Sequence, residues 1–347
     1  MKKTFYSFIR VLLHLYNWFY FRKVTVVGRE NIPSDGAILF SPNHQNALLD
    51  PLLVGVTSGK SVYSLTRSDV FGGPLQWFFD AMQMLPIYRI RDGYGKLKLN
   101  SVIFEQCYNL LEKGHHMMMF SEGKHHDQYY LLPLSKGSSR LSLEAQIRAK
   151  KTKIYLQAVG LNYTSHRHAR TRCVIVYGKA IDVSEYVSDY KQFPVLTLKK
   201  LKNTLQNNMA DCLWLPNNDQ SYLTQKKYIN RHNTWQPFQS LKRQLEETPD
   251  QLKPRKKSTL LQKIGVLLFS LPNLPAHLAI NRLVVQFEDH VFHGSVKYLG
   301  GLVIFLLWWG IGLLGFASAL GANGALGYLT LSIGSLFIRQ YVVCYDL

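Results

Sequence analysis

The sequence predicts an α/β fold whose chain ends lie against or within a membrane. Two observations carry this. Between about residues 24 and 185, short apolar strand-like segments alternate with helical stretches. Near the C-terminus, "YLGGLVIFLLWWGIGLLGFASAL" runs from Tyr298 to Leu320 without a charged residue, and about 20 apolar residues suffice to cross a bilayer.

The strands expected in the middle region are "KVTVVG", "GAILFSPN", "MLPIYRI", "HMMMFSEG", "IYLQAVGLNY" and "RCVIVYGKAI". Helices are expected at Pro51 to Val56, Gly73 to Met82 and Tyr94 to Lys113. Residues 191 to 247 are polar and read as helices with loops. The domain so predicted spans 24–250, with its motif-bearing core at 24–185.

Residues 1–23 read as an amphipathic helix lying in a membrane surface. Phe5, Phe8, Ile9, Leu12, Leu15, Tyr16 and Phe19 recur at helical spacing, flanked by Lys2, Lys3, Arg10, Arg22 and Lys23. Packing on the protein's own core is the alternative. The stretch lacks a small-residue cleavage site, so it is not read as a signal peptide.

Residues 251–347 form the expected membrane region. The basic linker "DQLKPRKKSTLLQK" opens it, and Pro272 and Pro275 break the apolar segment 264–280, which is read as interfacial or broken. Spans near 298–320 and 325–343, joined by a turn at Gly321 to Gly324, make a helical hairpin. Lys297 before it and Arg339 near its end favour the cytoplasm for both ends. Trp308 and Trp309 are unusually deep in such a hairpin, and the sequence offers no reason for them.

The formal net charge is +19, from 41 Lys and Arg against 22 Asp and Glu, so acidic partners such as phosphates, nucleic acid or anionic lipid are expected, and the sign alone does not choose among them. No aromatic-basic platform or recognition motif points to nucleic acid. Four widely spaced cysteines argue against a zinc ribbon or a disulfide framework. The histidines at 115, 116, 125 and 126 show no ligand spacing, so neither metal nor cofactor is expected.

Three polar clusters fall at strand ends, where α/β proteins place their sites. The first is Asn43, His44 and Asp50; the second is Arg89, Arg91 and Asp92. The third holds Ser121, Glu122, Gly123, His126, Asp127 and Lys136. On an ideal helix six residues turn through roughly 600°, which leaves His44 and Asp50 about 240° apart. They meet only across an intervening turn. Asp50 before Pro51 also suits a helix cap. Arg89 and Arg91, two apart on a strand, would share a face.

These blocks, "NHQNALLD", "LPIYRIRD", "FSEGKHHD" and "IYLQAVGLNY", resemble the glycerophosphate acyltransferase (PlsC-like) family over roughly residues 25 to 185. Five residues separate His44 from Asp50, where the usual family motif has four, and Ser121 stands where proline is usual. The longer spacing, the "HHD" after "SEG" and Asp92 resemble the fungal-type glycerol-3-phosphate and dihydroxyacetone-phosphate subgroup.

The resemblance implies a membrane-bound O-acyltransferase of phospholipid synthesis. The donor would be a thioester, acyl-CoA or acyl carrier protein, and the acceptor glycerol-3-phosphate or 1-acylglycerol-3-phosphate. His44 and Asp50 would be catalytic. Asn43, Arg89, Arg91, Asp92, Glu122, Gly123, His126, Asp127 and Lys136 would bind substrate. An idle, membrane-anchored binding protein for anionic lipid is the alternative, and a thioester hydrolase is disfavoured because no GxSxG elbow appears.

Overall fold

Strand β2 (Ala37–Pro42) is buried along its whole length, with Ile38 and Phe40 in one hydrophobic cluster and Ala37 and Leu39 in another. A strand apolar on both faces belongs inside a sheet covered on both sides. The computed structural model describes residues 2–73, 76–88, 95, 98–254 and 258–342, and β2 stands mid-way in its seven-stranded sheet.

The sheet runs β1 (Lys23–Val27), β7 (Arg172–Asp182), β6 (Ile154–Tyr163), β2, β5 (His116–Met118), β3 (Val62–Arg67) and β4 (Met84–Ile87). All neighbours are parallel except β6 and β7, which are antiparallel with a register irregularity between Gln157 and Val159. Strands β2 to β6 therefore share one direction, and their C-terminal ends share one edge.

One face is covered by α1 (Lys2–Tyr20) and α2 (Leu49–Thr57), which bury Tyr6, Leu13, Leu52 and Leu53. On the other lie α4 (Leu99–Glu112), α5 (Gly137–Arg148) and α7 (Pro194–Asp211), contributing Leu111, Leu141 and Leu201. The short helices α3 (Gln76–Ala81), α6 (Val187–Gln192), α8 (Tyr222–Lys226) and α9 (Phe238–Glu247) fill in around them. Trp214 and Phe238 lead a third cluster beside β7.

Strand β6 coincides with the expected segment, and β3 was not expected. Helix α1 packs on the protein's own core with one face and leaves another exposed. Tyr6, Leu13, Asn17 and Tyr20 are buried, while Phe8, Val11, Leu15 and Trp18 form an exposed apolar stripe.

The broken segment is a pair of helices, α10 (Leu260–Leu268) and α11 (Leu274–Val285), bent by 47° at the prolines. Helix α12 (Val291–Val342) is long and apolar enough to cross a membrane, and only 6% of its most apolar stretch is buried in the protein. It is broken at Gly321, whose φ is 68°.

The chain doubles back at that break. Phe316 stacks on Tyr328 at 4.9 Å, and the Tyr328 hydroxyl donates to the Trp308 carbonyl at 3.3 Å. The deep tryptophans find their reason here. Trp308 donates to the Pro272 carbonyl at 3.0 Å and Trp309 to Asn273 Oδ1 at 2.9 Å, while Asn273 donates to the Ser332 carbonyl at 2.8 Å. Buried polar groups in an apolar setting need such partners.

Candidate active site

The shared strand edge brings together residues far apart in sequence. His44 follows β2, Glu122 follows β5 and Tyr163 ends β6. Arg89, Arg91 and Asp92, expected after β4, lie outside the described residues.

The turn between β2 and α2 solves the angular problem of His44 and Asp50. Asp50 sits in the first turn of α2, fully buried, and its carboxylate reaches back over the loop. Oδ2 accepts from the amides of Gln45 at 2.9 Å and Asn46 at 2.7 Å, and lies 2.9 Å from His44 Nδ1. Oδ1 accepts from the Tyr163 hydroxyl at 2.6 Å. Asp50 is thus not the helix cap that its place before Pro51 suggests; Leu48 occupies that position. The carboxylate caps the loop instead.

A carboxylate only accepts, so His44 carries its proton on Nδ1 and turns Nε2 outward as an acceptor. The ring stacks on Phe120 at 3.8 Å. Burial, reinforced by the Asp50 charge, raises the Tyr163 phenol well above its ordinary range. It remains a donor to Asp50 across the working pH range.

Glu122 was expected in substrate binding, yet its carboxylate faces inward with no exposed side-chain surface. Oε1 accepts from the His44 amide at 2.7 Å. Oε2 accepts from the Leu132 amide at 3.0 Å and lies 3.2 Å from His126 Nε2. The His126 amide in turn donates to the His44 carbonyl at 3.2 Å. The backbone of His44 is held from both sides. Gly123, at φ 72°, closes the turn in a conformation that a side chain would strain.

Asn43, also expected at the substrate, is buried and pins the loop to β6. Its Oδ1 accepts from the Leu161 amide at 2.7 Å, and its Nδ2 donates to the Leu161 carbonyl at 3.2 Å. Ser121 bonds to the hydroxyls of Ser41 and Ser138. Lys136 is exposed just before α5.

Residues 23–181 match the family model described as Acyltransferase. This domain belongs to the acyltransferase family. The chain is 30% identical over 111 residues to glycerol-3-phosphate O-acyltransferase 2 of Saccharomyces cerevisiae, covering 32% of this chain and 15% of that protein. It is 28% identical over 141 residues to the chloroplastic 1-acyl-sn-glycerol-3-phosphate acyltransferase LPAT1 of Arabidopsis thaliana, covering 40% and 37%. The chain thus spans well under half the length of these curated relatives. Among solved structures it is similar to the 1-acyl-sn-glycerophosphate acyltransferase PlsC of Thermotoga maritima, with 16% identity and a TM-score of 0.42 over 59% of this chain and 80% of that one.

Within the acyltransferase domain, Asp127 is engaged by its neighbours. It pairs with Arg167 and lies 3.3 Å from His166 Nδ1. His166 Nε2 lies 3.0 Å from Gln45 Oε1, next to His44. Burial alone would raise the Asp127 carboxyl, but hydrogen bonds from His166 and Arg167 outweigh it and hold the pKa at about 2. A depressed carboxyl contributes stability above its unfolded value and loses it as pH falls through the folded one. Asp127→Asn should therefore be less stable than wild type by about 2 kcal/mol above pH ~4, the gap closing toward pH ~2. Thermal unfolding of both proteins in detergent across that range checks it.

The consecutive histidines diverge. His126 turns to Glu122, whereas His125 Nε2 lies 3.1 Å from Asp289 Oδ2 with its ring 5.6 Å from that of His44. Burial, and then the nearness of His44, lower the His125 pKa.

The most distant contributor to the candidate site is the start of α12. Ser295 Oγ accepts from the Leu49 amide at 2.9 Å and donates to the Asn46 carbonyl at 2.8 Å. A Cβ on Gly294 would lie 2.3 Å from both Asn46 Oδ1 and the His166 carbonyl. The apolar hairpin is therefore seated on the His44–Asp50 loop. Ser295→Ala removes two buried bonds of about 1 kcal/mol each. It should lower kcat roughly tenfold, as expected for a loosened positioning contact of that size, without changing membrane attachment. Steady-state kinetics beside a sedimentation assay test this, and an unchanged kcat would mean that the contact only packs.

Nothing in the sequence pattern marks Ser295, and Phe120 and Tyr163 lie in the quoted blocks without any sign of their contacts. Tyr163 ends an expected strand, and that is the one signal that could have drawn attention to it.

Proposed function

We propose that the protein transfers a fatty acyl group from a thioester, acyl-CoA or acyl carrier protein, to a hydroxyl of a glycerol-phosphate acceptor in phosphatidic acid and phospholipid synthesis. The observation that carries this reading is the 2.9 Å contact between His44 Nδ1 and an Asp50 carboxylate that is buried and otherwise bonded only to neutral donors. The names of the relatives supply the acceptor class.

His44 Nε2 takes the proton of the acceptor hydroxyl as its oxygen bonds to the thioester carbonyl carbon. The carbon–sulfur bond breaks, and the leaving thiolate recovers the proton from the imidazolium. Asp50 fixes the tautomer and stabilises that imidazolium. No serine nucleophile is needed, because the acceptor hydroxyl attacks directly.

Arg89 and Arg91, with Lys136 at the rim, would hold the acceptor phosphate, arginine offering a bidentate fork. Asp92 would face the acceptor hydroxyls. Asn43, Glu122, Gly123, His126 and Asp127 act through the loop, shaping the place where substrate binds. The hairpin, with Lys297 and Arg339 at its base, would anchor the domain on the cytoplasmic face, and the exposed stripe of α1 would rest in the headgroup region.

Purified protein offered both donors with glycerol-3-phosphate, 1-acylglycerol-3-phosphate and a neutral monoacylglycerol tests the reading by mass spectrometry of the lipid formed. Phosphate-bearing acceptors should be acylated. Comparable acylation of the monoacylglycerol would overturn the phosphate assignment.

A further inference from the structure

A second feature lies away from His44, Asp50 and Glu122, none of which lines it. Helices α1, α10, α11 and α12 enclose a cavity of about 670 Å³, within the size range of ligand sites. Its wall is mainly apolar, with Leu15, Phe19, Leu278, Leu302, Phe305 and Leu306 contributing.

The charged groups on that wall are all of one sign. Arg170, Lys263, Lys297 and Arg339 line the cavity, and among the described residues no carboxylate does. Lys297 donates to the Arg167 carbonyl at 2.8 Å and Arg339 to Ser270 Oγ at 2.6 Å, and both of these acceptors are neutral. Lys297 and Arg339 stand near the two ends of the hairpin, hence at one level. From Lys297 to Trp309, which also lines the cavity, the helix rises about 18 Å. The charge sits at one end and the apolar wall extends away from it.

We propose that this cavity binds one anionic phospholipid of the bilayer, its phosphate among Arg170, Lys263, Lys297 and Arg339 and an acyl chain along the apolar wall of α12. Four cationic side chains lining one cavity at headgroup depth favour an anionic over a zwitterionic head. An acyl chain satisfies the wall by burying apolar surface on both sides. The bound lipid would join α1 to the hairpin whose first turn holds Ser295 against the catalytic loop.

The test is native mass spectrometry of the full chain, reconstituted with equimolar dioleoyl phosphatidylglycerol and dioleoyl phosphatidylcholine and then delipidated in detergent. The protein should retain one phosphatidylglycerol, favoured by about tenfold or more, as a charge-assisted contact implies. Lys263→Gln with Lys297→Gln should abolish that preference. Leu306→Trp, at an exposed position that tolerates bulk, should reduce retention of both lipids by narrowing the groove. His44→Ala should retain the lipid as wild type does, because binding is read without turnover and stands apart from the acyl-transfer reading. Equal retention of the two lipids, an undiminished preference in the double variant, or loss of lipid in His44→Ala would each overturn the proposal.

Discussion

His44→Ala should lower acyl transfer by about two to four orders of magnitude, the usual contribution of a general base, in a protein that stays folded and membrane-bound. The fold should survive because the loop is held by main-chain contacts to Glu122 and His126 and by the Asp50 carboxylate, none of which needs the imidazole. Asp50→Asn separates the two duties of the aspartate. An asparagine oxygen can still accept from the amides of Gln45 and Asn46, and its NH2 can donate to the Tyr163 hydroxyl, which reverses its role. The turn is kept, but the negative charge that stabilises the imidazolium is gone. Activity should fall nearly as far as in His44→Ala with little change in thermal midpoint. Asp50→Ala would instead orphan several buried donors at about 1–3 kcal/mol each, so its loss would report unfolding of the loop. Kinetics beside thermal unfolding of all three variants decide the matter, and wild-type rates in folded His44→Ala protein would end the proposed mechanism.

Glu122→Gln should lower kcat by about 10²-fold, as misplacement of a catalytic group by about 1 Å does, while leaving the acceptor KM nearly unchanged. The reason is the inward carboxylate, whose oxygens serve the amides of His44 and Leu132 and the ring of His126. Glutamine has one acceptor oxygen. Whichever way the amide turns, its NH2 group faces a backbone N–H, and one buried donor is left unbonded at a cost of about 1–3 kcal/mol. If the His44 amide loses its partner, the imidazole shifts from the attacking hydroxyl. A rise in acceptor KM with kcat preserved would show that Glu122 contacts the acceptor, and the inward assignment would fail.

Much of the sheet was legible because buried strands declare themselves as mainly apolar runs, and β6 is long enough to remain recognisable despite Gln157 and Asn162. "IYLQAVGLNY" reads as a strand and is β6, residue for residue. Strand β3 escaped because Ser64 and Thr66 dilute its apolar run, although Ser64 is buried. A short strand of mixed polarity inside a sheet is stabilised by its neighbours β4 and β5, and that context is absent from a linear reading. The prolines foretold the break between α10 and α11, since proline interrupts a helix whatever surrounds it.

The division at the site follows the same physics. Residue type drew attention to His44 and Asp50, a base and a carboxylate at a strand end, and their spacing implied that only a turn could join them, as the 2.9 Å contact now shows. The sequence could not assign the duties of Glu122 and Asp127, since a carboxylate that binds substrate and one that braces a loop are the same residue. Only the folded chain decides which donors surround it. Tyr163 reaches Asp50 across 113 positions and Ser295 reaches Asn46 across 249, joined by strand order and helix packing rather than by any local pattern. Trp308 and Trp309 likewise had no reason until Pro272 and Asn273 were placed beside them. By itself, then, the sequence determined the α/β class, the position of the proline break and the motif blocks that resemble an acyltransferase family, because local residue types and apolar periodicity are properties of the linear chain. The tertiary structure alone decided how that chemistry is held, because buried hydrogen bonds pair partners whose separation in sequence carries no signal of their meeting.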